Sequence, residues 1–99
     1  MKIYISGKIT GKKYSEALRD FRLIESHIWQ ESKLIPINPM NFTNPNMNYE
    51  ECMKRCFELI EECQYIYLMR DWHNSEGSIK ELNYALSLGL KVIENIYEG

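Results

Sequence analysis

The chain has 99 residues, 44% of them hydrophobic, and a formal net charge of −2. A chain of this size buries roughly 60 to 70% of the surface that it exposes when unfolded, so we expect one soluble domain over residues 1–99. The near-neutral charge excludes the strong positive field of proteins that bind nucleic acid or membrane surfaces, and it favours a small-molecule partner.

The beginning of the chain predicts a strand, a loop and a helix. Residues 2–6 alternate and include β-branched side chains, and Gly7 and Gly11 enclose the loop that follows. The apolar run is too short for a signal peptide or a membrane span, and we expect a cytoplasmic location. Apolar side chains at helical spacing predict a helix over residues 15–32, with Ser15 as its cap.

A second strand and a polar loop follow. Residues 34–37 predict a short strand, and Pro36 indicates a sheet edge because proline cannot donate to the ladder. Residues 38–48 predict an irregular loop, which is either a plain surface connection or a lid over a ligand. The side chains of this loop that could stack on a flat ring are Met40, Phe42 and Met47.

The second predicted helix covers residues 49–62 and has cysteines along one face. Cys52, Cys56 and Cys63 are odd in number, and no C-x-x-C pair or matching histidine accompanies them. We therefore interpret them as reduced core residues rather than as a disulfide scaffold or a metal site.

The last elements complete an alternating pattern. Residues 65–69 are continuously apolar, as in a strand buried on both faces of a parallel sheet. A helix from Gly77 or Ser78 to Leu88 precedes a strand over residues 91–94. The pattern predicts an α/β fold, a flavodoxin-like or Rossmann-like three-layer α/β/α sandwich whose four-stranded parallel sheet has the order 2-1-3-4. Ligands bind such sheets beyond the carboxyl ends of the strands, here between the first and the third.

The loop after the first strand is a candidate phosphate site. Between Gly7 and Gly11 it lacks the spacing and the Ser or Thr of a P-loop, and it does not fit the dinucleotide fingerprint. Its backbone N–H groups and Lys8 could hold a single phosphate. The alternative is a solvated turn with scattered lysines.

Glu81 is the candidate nucleophile. It follows a turn containing Ser75 and Gly77, at a helix start whose free N–H groups suit an anion. Ser78 and Glu81 also fit a capping box, in which the carboxylate would only bind the backbone of its own helix. A nucleophile would instead point across the cleft to Tyr4.

Trp72 directly follows the third predicted strand. It is either a core or interface aromatic residue or part of the pocket wall. His27 and His73 have no paired carboxylate or cysteine at usable spacing, so neither receives a catalytic role.

These motifs resemble the nucleoside 2-deoxyribosyltransferase superfamily, and in particular its DUF4406 branch, over nearly the full chain. Residues 81–92 resemble the motif E-L-G-Y-A-L-x-x-G-x-x-V, in which the glutamate is the nucleophile, with Asn83 in place of a glycine. Residues 4–11 are similar to the Y-x-x-G-S-I-R-G loop of the 2′-deoxynucleoside 5′-phosphate N-hydrolases. In that loop the tyrosine orients the nucleophile and the backbone binds the 5′-phosphate.

The resemblance implies an N-glycosidase or deoxyribosyltransferase in which Glu81 and Tyr4 are catalytic. Ser75 stands where the phosphate-selective members carry a serine, which favours a deoxynucleoside monophosphate over a free nucleoside. The mechanism requires no metal or redox cofactor. The substrate-binding residues that the resemblance implies are Ser6, Gly7, Lys8, Thr10, Gly11, Trp72, Ser75 and Gly77.

The resemblance also implies a homo-dimer or larger homo-oligomer, because family members complete their pockets with residues from a neighbouring subunit. Residues 95–99 are a candidate donor segment.

The chain departs from the superfamily at Cys56. Members carry an acidic residue here, in an R-D-[IL] setting, to handle the proton on the leaving base, whereas this chain reads Arg55-Cys56-Phe57. Glu58 could take the role only if the helix register were shifted. The departure keeps open a second function, that of a non-catalytic nucleotide-binding protein, a sensor or a sequestering protein, that retains the pocket.

Overall fold

The computed structural model describes residues 1–98, and a parallel sheet forms its centre. The strands are β1 (Lys2–Ser6), β2 (Ile35–Ile37), β3 (Tyr65–Leu68) and β4 (Lys91–Glu94). The helices are α1 (Tyr14–Glu31), α2 (Tyr49–Glu61) and α3 (Glu76–Ser87). All strand pairs are parallel and the order is β2-β1-β3-β4, which confirms the predicted α/β fold and strand order.

Alternation along β1 separates two apolar layers. Ile3 and Ile5 face α1, whose inward side chains recur every three or four residues: Ala17, Phe21, Ile24 and Ile28. Tyr4 faces the opposite layer, which α2 and α3 cover with a second buried set: Cys56, Leu59, Ile60, Cys63 and Ala85. The sheet is therefore sandwiched between α1 on one face and α2 with α3 on the other.

Strand β2 forms one edge of the sheet, as Pro36 predicted. Within residues 1–98 it pairs only with β1, where Pro36 lies opposite Ile3. No helix within residues 1–98 has both the length and the apolar character needed to cross a membrane.

The first helix begins earlier than its sequence suggested. Tyr14 is its first residue, and Ser15 lies inside the first turn rather than at the cap. Lys13 occupies the cap position in an extended conformation and makes no side-chain cap hydrogen bond. Serine can occupy the first turn of a helix at little cost, so its presence alone did not locate the boundary.

The third helix also begins earlier, at Glu76. The cap is Ser75, whose Oγ accepts a hydrogen bond of 3.1 Å from the backbone amide of Ser78. Ser78 is therefore inside the helix, and the prediction of a start at Gly77 or Ser78 was wrong. The remaining element ends agree with the sequence-based ranges to within one residue.

The loop between β2 and α2 is partly ordered by a short 3-10 helix, Pro39–Asn41. Met40 is only 5% exposed and packs in the α1 layer, so the expectation that it could stack on a ligand was wrong. Phe42 lies at the surface, where the Arg55 guanidinium sits 5.5 Å from its ring centroid. Met47 is the member of the predicted stacking set that reaches the cavity described next.

Candidate functional site

A cavity of about 760 Å³ lies where the segments that follow β1, β2 and β3 meet. Gly7 and Thr10 line it from the first segment, Pro39 from the second and Ser75 from the third. Its volume is within the range of small-molecule sites, roughly 300 to 1,000 Å³. Its location agrees with the position at which ligands bind open parallel sheets.

Glu81 closes one end of this cavity. It lies on the inward face of α3, with Ser78 one turn before it and Ala85 one turn after it, and it is 7% exposed. Its Oε2 accepts a 2.7 Å hydrogen bond from Tyr4 Oη, and its Oε1 accepts one of 2.7 Å from Ser6 Oγ. The carboxylate thus points across to β1, and the helix is capped by Ser75 instead of by a capping box.

The two hydrogen-bond donors come from one face of one strand. Tyr4 and Ser6 are two positions apart in β1, so their side chains project to the same side of the sheet. Both are fully buried. Because each carboxylate oxygen of Glu81 has its own donor, the plane of the carboxylate is fixed relative to the sheet.

The electrostatic environment of Glu81 consists of neutral donors. Burial raises the pKa of its carboxyl, while hydrogen bonds from Tyr4, Ser6 and Cys56 act in the opposite direction. Burial, reinforced by the Glu81 charge, raises the pKa of the Tyr4 phenol and of the Cys56 thiol well above their usual range. Tyr4 and Cys56 are therefore protonated at neutral pH and act on Glu81 as dipoles.

The start of α3 also forms part of the cavity wall. Ser75, Glu76 and Gly77 line the cavity, and the amides of the first helical turn have no intrahelical acceptors. Ser78 also lines the cavity and is only 1% exposed. Its Oγ has no hydrogen-bond partner within residues 1–98. A polar group that is buried without a partner is uncommon in proteins, and it marks this wall as a place for a hydrogen-bonding ligand.

The glycine loop contributes less than the sequence suggested. Thr10 and Gly7 line the cavity, whereas Lys8 and Gly11 lie outside its lining. The Lys8 backbone amide donates a 3.2 Å hydrogen bond to Asp71 Oδ1, so this amide is already used within the protein. Gly11 has a φ of +89°, a left-handed conformation that favours glycine for the turn itself.

Two other predicted binding residues also lie outside the lining. Ser6 contacts Glu81 rather than the open space of the cavity. Trp72 is half-buried against the layer formed by α2 and α3, in agreement with its interpretation as a core aromatic residue. Of the predicted site residues, the cavity brings together Tyr4, Gly7, Thr10, Ser75, Gly77 and Glu81.

Sequence reasoning did not assign the α2 wall of the cavity. Tyr49, Cys52, Met53 and Cys56 line it, at the spacing of one helix face. This periodicity was visible in the sequence, but it was interpreted as core packing. The half-burial of the first turns of α2 distinguishes a cavity wall from core packing, and only the three-dimensional structure shows it.

Glu58 does not replace Cys56 as the acidic group of α2. It is exposed, pairs with Arg55 at 3.8 Å, and lines a separate groove between α2 and α3. In the part of the chain that the structure describes, no group of three or more His, Cys, Asp or Glu side chains is arranged to hold a metal ion.

Comparisons with known proteins show the family and the fold. Residues 1–94 match the model of the family DUF4406, described as a domain of unknown function. Among solved structures, the chain is similar to a 2-desoxiribosyltransferase from Leishmania mexicana, with a TM-score of 0.68 and 20% sequence identity. That match covers 94% of this chain and 62% of the other, so this chain spans less than two thirds of that protein. A search of curated proteins found no match. The chain belongs to the DUF4406 family, and its fold is similar to that of this 2-desoxiribosyltransferase.

Proposed function

We propose that this protein cleaves the N-glycosidic bond of 2′-deoxynucleoside 5′-monophosphates, with Glu81 as the nucleophile. Cleavage at C1′ passes through an oxocarbenium-like transition state, which needs a carboxylate on the face of the sugar opposite the base. Glu81 attacks C1′ as the C1′–N bond breaks, which forms a deoxyribosyl ester and releases the base, and the base takes up a proton from solvent. Water then hydrolyses this ester and restores the Glu81 carboxylate. Delivery of a second base in place of water would give the transferase reaction.

The observation that carries this proposal is the placement of a buried carboxylate at the end of the cavity. Glu81 is held by hydrogen bonds of 2.7 Å from Tyr4 and from Ser6, and no salt bridge neutralises it within residues 1–98. A carboxylate that is fixed and unpaired in this way is positioned to attack. The bonds from Tyr4 and Ser6 leave each oxygen with a further lone pair.

The start of α3, on the same helix as Glu81, supports a 5′-phosphate on the substrate. The first-turn amides of α3 at Glu76 and Gly77 provide donors at the positive end of a helix dipole. The unpartnered hydroxyl of Ser78 provides a third donor in the same wall. In this proposal Ser75 orders the helix start through its cap, and Gly7 and Thr10 also line the cavity.

The test combines product release with detection of the ester. The protein is incubated with each of the four common deoxynucleoside monophosphates, free base is measured by chromatography, and intact mass reports a deoxyribosyl phosphate adduct. We expect release and an adduct that Glu81→Ala abolishes. Glu76→Ala is the matched control, because it removes an exposed carboxylate from the same cavity. Release that survives Glu81→Ala contradicts the proposal.

A second candidate function is nucleotide binding without turnover, as in a sensor or a sequestering protein. The protonated thiol of Cys56 beside Glu81 favours it, because a thiol held at a raised pKa is a poor acid for a leaving base. Calorimetric binding of a monophosphate, with no release of base and no adduct, would support this function instead.

The homo-oligomer and the cytoplasmic location belong to this proposal as well. Tyr97 stacks on Tyr67 and Glu98 accepts a 2.8 Å hydrogen bond from the Tyr67 hydroxyl, so the end of the predicted donor segment packs on its own sheet. Gly99, the last residue of that segment, lies outside the described residues. Light scattering on the purified protein measures its mass and so its subunit number.

A further inference from the structure

The part of the cavity around Glu81 has a negative electrostatic character. The ionisable side chains that line it within residues 1–98 include the carboxylates of Glu76 and Glu81 and no lysine, arginine or histidine. Lys80 pairs with Glu76 at 3.0 Å, and Lys12 of the glycine loop is paired with Asp71 and lies 3.4 Å from Asp20. Glu81 is therefore the lining carboxylate that has no cationic partner within residues 1–98, and its field favours a positively charged ligand close to it.

The cavity also lacks a group that could protonate a leaving base. Glu76 is exposed and pairs with Lys80 at 3.0 Å, at the rim rather than beside Glu81. Cys56 and Tyr4 do lie beside Glu81, but both hold their protons at raised pKa values. A neutral base must acquire a proton as it leaves, and a positioned acid supplies about 10²- to 10⁴-fold of the rate.

The walls combine aromatic and sulfur-bearing side chains. Met47 and Met53 line the cavity with polarizable sulfur atoms, and Tyr49 lines it with a ring that already attracts a cation, since Lys80 Nζ lies 5.1 Å from its centroid. Aromatic faces attract cations, and methionine side chains adapt to the shape of a bound ring. These contacts require no charge on the protein beyond that of Glu81.

We propose that the substrates are N-glycosides whose base is already positively charged at the glycosidic linkage, such as pyridinium or N-alkylated purinium nucleotides. This inference rests on the proposed function. Glu81 Oε bonds to C1′ while the C1′–N bond breaks. The electron pair of the C1′–N bond neutralises the cationic base, which leaves without a proton. Water then attacks the ester, its oxygen bonds to C1′, Glu81 returns to a carboxylate, and one proton passes to solvent.

The test uses nicotinamide 2′-deoxyriboside 5′-monophosphate, whose pyridinium keeps its charge at every pH, beside the four common neutral monophosphates. Release of base is measured from pH 5 to 9, and the release measured with Glu81→Ala is subtracted as background. We expect kcat/KM for the pyridinium to exceed that of any neutral substrate by at least about 10²-fold, the lower contribution of a general acid. We also expect its pH profile to rise, through the pKa of Glu81 and the second pKa of the substrate phosphate at about 6, and to show no descending limb, because the leaving base needs no general acid.

Variants at Cys56 supply an independent measurement. Cys56→Asp places a second carboxyl beside Glu81, and two adjacent carboxyls hold a shared proton, so release from neutral monophosphates should rise about 10-fold or more. Cys56→Asn is the matched control, since it has nearly the same shape but no acidic proton, and it should produce no gain. Neither variant should increase release from the pyridinium substrate.

The outcomes separate the two proposals. Neutral monophosphates cleaved as fast as the pyridinium, with a bell-shaped pH profile, would overturn this inference and leave Glu81 as the nucleophile. No release from any substrate above the Glu81→Ala background would overturn both.

Discussion

The phenol of Tyr4 donates a 2.7 Å hydrogen bond to the carboxylate of Glu81, although 77 positions separate the two residues. Both groups are buried, one on β1 and the other on α3. The bond therefore joins the first strand to the third helix at the end of the cavity. The orientation of the proposed nucleophile depends on the packing of these two elements, so changes at the strand should be felt at the carboxylate.

Tyr4→Phe removes this donor and keeps the ring. Since a hydrogen bond to a charged group contributes about 1.5 to 3 kcal/mol, we expect kcat/KM to fall about 10- to 100-fold. The pKa of Glu81 should rise further, because a contact that favours its ionised form is lost. The ascending limb of the kcat/KM profile against pH should then move to higher pH.

Tyr67→Phe is the control for this prediction. It also removes a buried tyrosine hydroxyl, but one that donates to Glu98 on the α1 side of the sheet. Its pH profile should match that of the unmodified protein. An unchanged ascending limb in Tyr4→Phe would show that the phenol does not act on Glu81.

Glu81→Gln should stabilise the fold while removing activity. Burial raises the pKa of Glu81 in the folded state above 4.5, its ordinary value in the unfolded chain. At a pH between these two pKa values, the folded protein still holds the proton that the unfolded chain has released. Stability contributed by this group is thus present below pH 4.5 and is lost as the pH rises through the folded pKa. The side-chain amide of the Glu81→Gln variant carries no charge, so this variant does not lose stability as the pH rises.

Thermal unfolding of both proteins from pH 4 to 8 measures the effect. The midpoint of Glu81→Gln should exceed that of the unmodified protein at pH 8, and the gap should narrow towards pH 4. Glu76→Gln, at an exposed carboxylate, should show no such pattern. A gap that widens on acidification would contradict the direction of the pKa shift.

Gly7→Ala should destabilise the protein through a steric contact. A Cβ at this position would lie 2.4 Å from Met69 Sδ and 3.0 Å from Met69 Cβ, so the strand end would have to shift. Overpacking of this kind costs about 1 to 3 kcal/mol. Gly77→Ala is the control, because its Cβ would meet Met53 Sδ at an ordinary 3.5 Å. Urea denaturation should show a clear loss for the first variant and none for the second.

Ser78→Ala should separate binding from stability. The Ser78 hydroxyl is buried without a partner in residues 1–98, so its removal should change the free energy of unfolding by less than about 0.5 kcal/mol. If the hydroxyl donates to the substrate, calorimetric affinity for a monophosphate should fall about 2- to 10-fold. Ser87→Ala, at the far end of α3, should leave affinity unchanged. A marked loss of stability with normal affinity would assign the hydroxyl a structural role.

Local patterns in the sequence were sufficient to predict the fold. The alternation of strand and helix, the continuous apolar run of β3 and the proline in β2 each reflect a local rule, and together they determine the order of the sheet. The meeting of Tyr4 with Glu81 was accessible for the same reason, since strand ends and helix starts lie at one edge of a parallel sheet.

The details that could not be predicted depend on side-chain contacts between distant segments. The Lys8 amide is occupied by Asp71, and Ser6 reaches Glu81 instead of the ligand space. The capping serine of α3 was ambiguous, because Ser75 and Ser78 are both acceptable caps by composition and only the helix geometry distinguishes them. Likewise, an apolar helix face has the same periodicity whether it packs on a core or lines a cavity.

Pro36 has a consequence for self-association. The Ile35 amide donates to the carbonyl oxygen of Met1 at 2.8 Å, so the nitrogen of the next residue, Pro36, is directed away from β1 towards solvent. An incoming strand would find no donor at the middle of this three-residue edge. The proline thus protects β2 against edge-to-edge aggregation, and subunits that associate should do so through other surfaces of the protein.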